Sequence, residues 1–94
     1  MTAARPLPIL MRSGDVVSLQ QAIAHAGKSD RTLRGWCHKY GIGRQTSPGA
    51  PLEISIIALE MVLHGDFDAL EQLRAGQRTS LPVRRYFEHL GVPV

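Results

Sequence analysis

The sequence predicts a mainly α fold, and three observations carry that expectation. Two adjacent segments place apolar residues at helical spacing on either side of a glycine turn. A short alternating stretch follows, broken by Ser47-Pro48-Gly49. Three more helical patterns then run to the C-terminus, with glycine stops and Ser or Asp starts. In the first segment Leu19, Ala22, Ile23 and Ala26 fall at i, i+3, i+4 and i+7, which is one face of a helix. In the second, Leu33, Trp36, Cys37 and Tyr40 repeat that spacing, and the opposite face carries Arg31, Arg34, His38 and Lys39. The turn between them is Ala26-Gly27-Lys28-Ser29.

The first helix has a capping-box start, with Ser18 as cap and Gln21 three residues on. Val17 and Ala22 stand where a small hydrophobic staple would form. Gly27 supplies the left-handed residue that ends the helix. Ser29 caps the second helix, and Asp30 lies in its first turn, where the helix dipole favours an acid. Gly41 closes it, with Ile42 expected to fold back on Trp36 or Cys37. Leu33, Trp36 and Tyr40 are expected as core scaffold.

Two short segments, Ile42–Gln45 and Leu52–Ile54, flank the turn and predict a small β-hairpin with Arg44 at its root. A third helix is expected from Ser55 to about Leu63, with Ile56, Leu59 and Leu63 inward and Gly65 as its stop. Asp66 caps a fourth, in which Phe67, Leu70 and Leu73 face inward and Asp68 and Glu71 outward; Gly76 ends it. Ser80 and Pro82 open a fifth, ending at Gly91 with Pro93 beyond. Its apolar positions are Val83, Tyr86, Phe87 and Leu90. Residues 1–14 lack periodicity and hold two prolines, so a mobile arm bearing Arg5 and Arg12 is expected there.

At 94 residues the chain suits one domain with a modest core. Its formal charge of +3 is unevenly spread. Residues 28–44 hold Lys28, Arg31, Arg34, Lys39 and Arg44 against Asp30 alone; residues 45–75 hold five acids against Arg74 alone. A basic cluster on the second helix and the segment after it is what a phosphate-binding surface requires. The single cysteine, Cys37, excludes an intrachain disulfide and lies on the apolar seam. Cys37-His38 is no zinc motif, because adjacent residues do not readily face one metal and no second pair follows. His25, His38, His64 and His89 are scattered without metal or triad spacing, so neither an enzyme nor a bound metal or cofactor is expected. Asp66 and Asp68 flank a cap and call for no catalytic explanation. The N-terminus is not expected to be a signal peptide, nor any stretch to span a membrane. A cytoplasmic, nucleoid-associated protein is the expectation.

Apolar seam, glycine turn and basic second helix make the layout of a helix-turn-helix. With the hairpin as a wing, the chain resembles the winged helix-turn-helix of the excisionase (recombination directionality factor) and MerR-like families. The residues that carry the resemblance are Ser18-Leu-Gln-Gln-Ala22, Gly27-Lys-Ser-Asp-Arg-Thr-Leu-Arg-Gly-Trp36 and the hairpin GIGR…LEIS. The resemblance spans residues 16 to about 64. It implies a fold of winged helix-turn-helix, small β-hairpin wing and additional C-terminal helices. The expected organisation is a flexible arm over 1–15, a DNA-binding unit over 16–64 and a helical extension over 65–94 packed on the same domain. The chain departs from the family after Gly65, and it lacks the long coiled coil and effector domain of full-length MerR regulators.

What the resemblance implies is an architectural DNA-binding protein, not an enzyme. It would bind beside an attachment site, bend the duplex and bias an integrase, a tyrosine or serine recombinase, towards excision. Arg31 and Thr32 would make base or near-base contacts, Lys28 and Ser29 phosphate contacts at the helix N-terminus. Arg34 and Lys39 lie further along the same helix, and Arg44 would approach a minor groove or its phosphates. Copies are expected to associate head-to-tail on DNA through the C-terminal helices. Two alternatives share the fold: a small transcriptional repressor, and an antiactivator that binds protein through a helix-turn-helix without DNA. The concentration of cations on the second helix argues against the antiactivator.

Overall fold

The computed structural model describes residues 6–94; Arg5, expected on the arm, lies outside them. The chain is mainly helical with one small sheet. In order come β1 (Val16–Ser18), α1 (Leu19–Ala26), α2 (Asp30–Tyr40), β2 (Gly43–Arg44), β3 (Glu53–Ser55), α3 (Ile56–Leu63), α4 (Phe67–Arg74) and α5 (Leu81–Leu90). The strands form an antiparallel sheet of order β1-β3-β2. Val17 pairs with Ile54, and Arg44 with Glu53.

Local chemistry explains most element ends. The Gln21 amide donates to Ser18 Oγ at 3.1 Å while the Ser18 amide donates to Gln21 Oε1 at 2.8 Å, a reciprocal capping box. The Thr32 amide donates to Ser29 Oγ at 3.1 Å, the Ala58 amide to Ser55 Oγ at 3.1 Å and the Ala69 amide to Asp66 Oδ1 at 3.1 Å. Gly41 ends α2 in the left-handed region, at φ 66°. A Cβ there would sit 2.9 Å from Arg74 Nη1 and 3.3 Å from the Leu7 carbonyl oxygen, so space and backbone both demand glycine.

One hydrophobic cluster unites every helix. α3 is its axis: Ile56 through Val62 are all buried, against an expected single stripe of Ile56, Leu59 and Leu63. The physical reason is that α1, α4, α5 and β3 surround α3, leaving it no solvent face except its ends. Leu70 and Leu73 of α4, and Val83, Tyr86 and Phe87 of α5, belong to the same cluster as Leu19, Ala22 and Leu33.

Four expectations need correction. Residues 6–15 do not form a free arm. Ile9 is 3% exposed within the core, and Asp15, also 3% exposed, receives Arg78 Nη1 at 2.9 Å and Nη2 at 3.1 Å. Arg12 donates to the Val94 carbonyl at 2.9 Å, tying the segment to the C-terminus. Val16–Ser18, expected only as the lead into α1, is a strand paired with β3. Trp36 and Tyr40 are half-buried rather than core, because they flank the fully buried Leu33 at the edge of the apolar stripe of α2. Phe67 is 42% exposed and packs its ring on Tyr40, with centroids 5.2 Å apart, outside the core.

Among the described residues, no helix is long and apolar enough to cross a membrane.

Candidate nucleic-acid interface

α2 presents its polar face outward because Leu33, Trp36, Cys37 and Tyr40 turn the other side towards the core. Arg31, Arg34, His38 and Lys39 are exposed on that face, and Lys28 is exposed in the turn before it. Beside the helix the β2–β3 hairpin stands close. At Gly43 an added Cβ would fall 2.6 Å from Cys37 Sγ, so this glycine lets the hairpin root pack directly on α2. Between helix and hairpin lies an open groove of about 660 Å³, with Arg34 and His38 on one wall and Arg44, Gln45, Thr46 and Ser47 on the other.

The predicted residues divide by what holds them. Arg31 and Lys28 make no side-chain ion pair among the described residues, and Arg31 Cα stands on the first turn of α2. The Ser29 hydroxyl is used internally: it accepts from the Thr32 amide and donates to Thr32 Oγ1 at 3.0 Å. What remains at that end for a ligand is the helix dipole and unpaired backbone N–H groups. Arg34 Nε pairs with Asp30 Oδ1 at 2.7 Å, and Arg44 Nε with Glu53 Oε1 at 2.9 Å. Both pairs are half exposed, where an ion pair contributes only about 0–1 kcal/mol and its cation is readily exchanged to another anion. Both arginines line the groove. Lys39 lies on the opposite flank from Arg34, with Nζ 5.2 Å from the Tyr40 ring centroid.

His38, Gln45, Thr46 and Ser47 join the groove although none was among the predicted site residues. His38 was visible on the basic face; the three hairpin residues are a polar loop whose position depends on the strand register. Burial pushes the Cys37 thiol up to about 11, against the pull of nearby Arg34, so it is protonated and inert at neutral pH.

A second polar cluster lies away from the groove. Glu60, the one acid on the apolar helix α3, accepts His25 Nε2 at 2.7 Å and His64 Nε2 at 3.0 Å, with His89 Nε2 at 3.5 Å. Three of the four histidines that look scattered in sequence thus converge on one carboxylate. No group of His, Cys, Asp and Glu among the described residues is arranged to hold a metal ion. Close by, Tyr86 donates to Asp66 Oδ2 at 2.6 Å, and burial together with that carboxylate raises the Tyr86 phenol to about 12.

These carboxylates make stability depend on acid. Burial pushes Asp15 and Glu60 up, but hydrogen bonds and charge from Arg78 and Arg12, and from His25 and His64, outweigh it and leave both below their ordinary values of 3.8 and 4.5. Asp66 is lowered mainly by the Tyr86 hydroxyl, then by the Ala69 amide. A carboxylate whose folded pKa is depressed stabilises fully above its unfolded pKa and loses that contribution as pH falls through the folded one. The melting temperature is therefore expected to change little on these groups' account until pH passes below 4.5, then to fall steadily. Glu60→Gln should flatten the upper part of that decline in a melting series against pH.

No family model, no curated protein and no solved structure matches the chain.

Proposed function

We propose that this chain is a winged helix-turn-helix protein that binds duplex DNA, acting as an excisionase: it binds beside an attachment site, bends the duplex and biases an integrase towards excision. The observation that carries the reading is the basic face of α2 beside a hairpin, with Arg34, His38 and Arg44 around one open groove and Arg31 exposed on the same helix. A major groove about 12 Å wide admits an α-helix. In this reading α2 is the recognition helix and β2–β3 the wing. Arg31 and Thr32 meet base edges, Lys28 and the N-terminal amides of α2 meet phosphates, and Arg34, Lys39 and Arg44 hold the flanking backbone.

The acid partners of Arg34 and Arg44 fit this use. Asp30 and Glu53 pair with the two side chains in the free protein, and at so exposed a position phosphates displace them at little cost. One recognition helix and one wing read few base pairs, so several copies would bind side by side, with Arg84 and Arg85 of α5 exposed for contact with a neighbour.

Two experiments test this reading. The first is footprinting across an integrase gene and its attachment site, together with an excision assay containing that integrase. Protection beside the attachment site and stimulated excision are expected; protection only over a promoter would make the protein a repressor. The second is Arg31→Ala, which should weaken the selected site by about 1–3 kcal/mol and relax its sequence preference. A loss equal for all sequences would reduce Arg31 to a phosphate contact.

A further inference from the structure

From the last residue of α2 onward, three consecutive backbone carbonyls are each held by a different part of the chain. The Tyr40 oxygen accepts Arg74 Nη2 of α4 at 2.6 Å. The Gly41 oxygen accepts the Ile9 amide at 3.4 Å, and the Ile42 oxygen accepts the Ser55 amide at the end of β3 at 2.9 Å. The Tyr40 carbonyl is one that a helix leaves without a partner of its own. The other end of α2 is different. Among the described residues, and apart from the helix ladder itself, the hydrogen bonds of residues 28–34 stay within that stretch: Ser29 with Thr32 and Leu33, Asp30 with Arg34. The helix is tied down where it ends and held by packing where its basic residues begin.

Of the three ties only the one from Arg74 runs through a side chain. That side chain is 9% exposed and reaches three segments. Nε pairs with Glu71 Oε1 at 2.9 Å on its own helix, Nη1 donates to the Leu7 carbonyl of the N-terminal segment, and Nη2 reaches Tyr40. A cation at a helix C-terminus also meets the negative end of the dipole. Gly41 makes the approach possible, since a Cβ there would fall 2.9 Å from Nη1. α4 thus grips the end of α2 through this guanidinium, beside the contact of the Tyr40 and Phe67 rings.

Helix geometry gives the grip leverage. Arg31 stands nine residues before Tyr40, about 13 Å along the axis at about 1.5 Å per residue. A tilt of about 5° at the tied end moves Arg31 by about 1 Å. That exceeds the range of about 2.7–3.2 Å over which an N–H donor holds its acceptor.

We infer that Arg74 is a positioning residue for DNA recognition: it touches no nucleic acid and sets the angle at which α2 presents Arg31 and Thr32 to base edges. The inference rests on the DNA-binding reading and adds to it a role for the C-terminal helices within a single copy.

The test is Arg74→Lys, which keeps the charge but replaces a planar fork spanning two carbonyls with a point donor. Gly41→Asn is the second variant: asparagine tolerates the left-handed backbone, and its Cβ displaces Nη1 with no change of charge. Affinity is measured, at a temperature where melting curves show each chain folded, for two duplexes. One is a site selected by the unsubstituted protein from a random-sequence pool, the other an unrelated sequence. Affinity for the unrelated duplex should hold, because it rests on phosphate charge and every cation is kept. Affinity for the selected site should fall about tenfold, as if one bidentate base contact were lost. A merely structural role would leave the ratio of the two affinities unchanged. That ratio, equal to the parent's in the folded variants, overturns the inference and leaves the DNA reading intact; where Arg74→Lys does not fold, Gly41→Asn decides alone. Loss of folding in both also overturns it, by making the clasp a condition of the fold itself. If the unsubstituted protein selects no duplex at all, the DNA reading fails and the inference with it.

Discussion

Arg78→Ala is expected to cost the fold about 3–5 kcal/mol, because it strands a buried carboxylate. Asp15 is 3% exposed and receives both terminal nitrogens of Arg78, whose guanidinium also lies 4.5 Å from the Phe87 ring centroid. Removing the cation leaves Asp15 to be neutralised or solvated, and either response loosens the N-terminal segment from the stretch that joins α4 to α5. A domain with a total stability of about 5–15 kcal/mol would lose a large part of it. Replacing both partners together, Asp15→Leu with Arg78→Met, should cost much less than Arg78→Ala, since neither charge is then left alone. Urea denaturation of the two variants separates these outcomes. Equal midpoints for Arg78→Ala and the parent protein would show that the pair contributes nothing.

Phe87→Ala is the second large effect, again about 3–5 kcal/mol, from reduced burial and the cavity left behind. Phe87 is fully buried, and α5 closes the core against both α3 and α4. Phe87→Leu should cost a fraction of that, because most of the volume is kept. The same geometry bears on the role of the C-terminal helices. Truncation after Gly76 would remove Val83, Tyr86 and Phe87 from the core, so a shortened chain would not be a folded reagent for testing assembly. Surface changes at Arg84 and Arg85 probe association between copies without touching that packing.

The sequence announces its helices through local chemistry. Ser18 with Gln21, then Ser29, Ser55, Asp66 and the glycines at 27, 41 and 91, mark ends that the structure places at those residues. These signals act within four residues of one another, so a linear reading reaches them. What it missed depends on partners far along the chain. β1 is a three-residue strand whose two valines show no alternation, and its pairing partner lies more than thirty residues away. Asp15 looks like one more polar residue in a proline-rich leader until Arg78 arrives to pair with it.

Periodicity also gives a face but not a depth. It set Leu33 and Trp36 on one stripe of α2, and only the packed structure distinguishes the buried centre from the half-buried margin. Charge behaved likewise. The basic cluster over 28–44 was evident, whereas the pairing of Asp30 with Arg34 was not drawn from the sequence. The Arg44–Glu53 pair needed the hairpin register. The groove between α2 and the hairpin, and the union of His25, His64 and His89 around Glu60, come from three-dimensional packing alone.

The salt dependence of duplex binding tests the central claim most directly. If the basic residues of α2, its N-terminal turn and the hairpin neutralise about four or five phosphates, log K against log salt concentration should be linear with a slope near −4. Charge reversal at Arg31 and Arg44 should make that slope shallower. An absence of duplex affinity at low salt, or an affinity indifferent to salt, would contradict a DNA-binding face on α2.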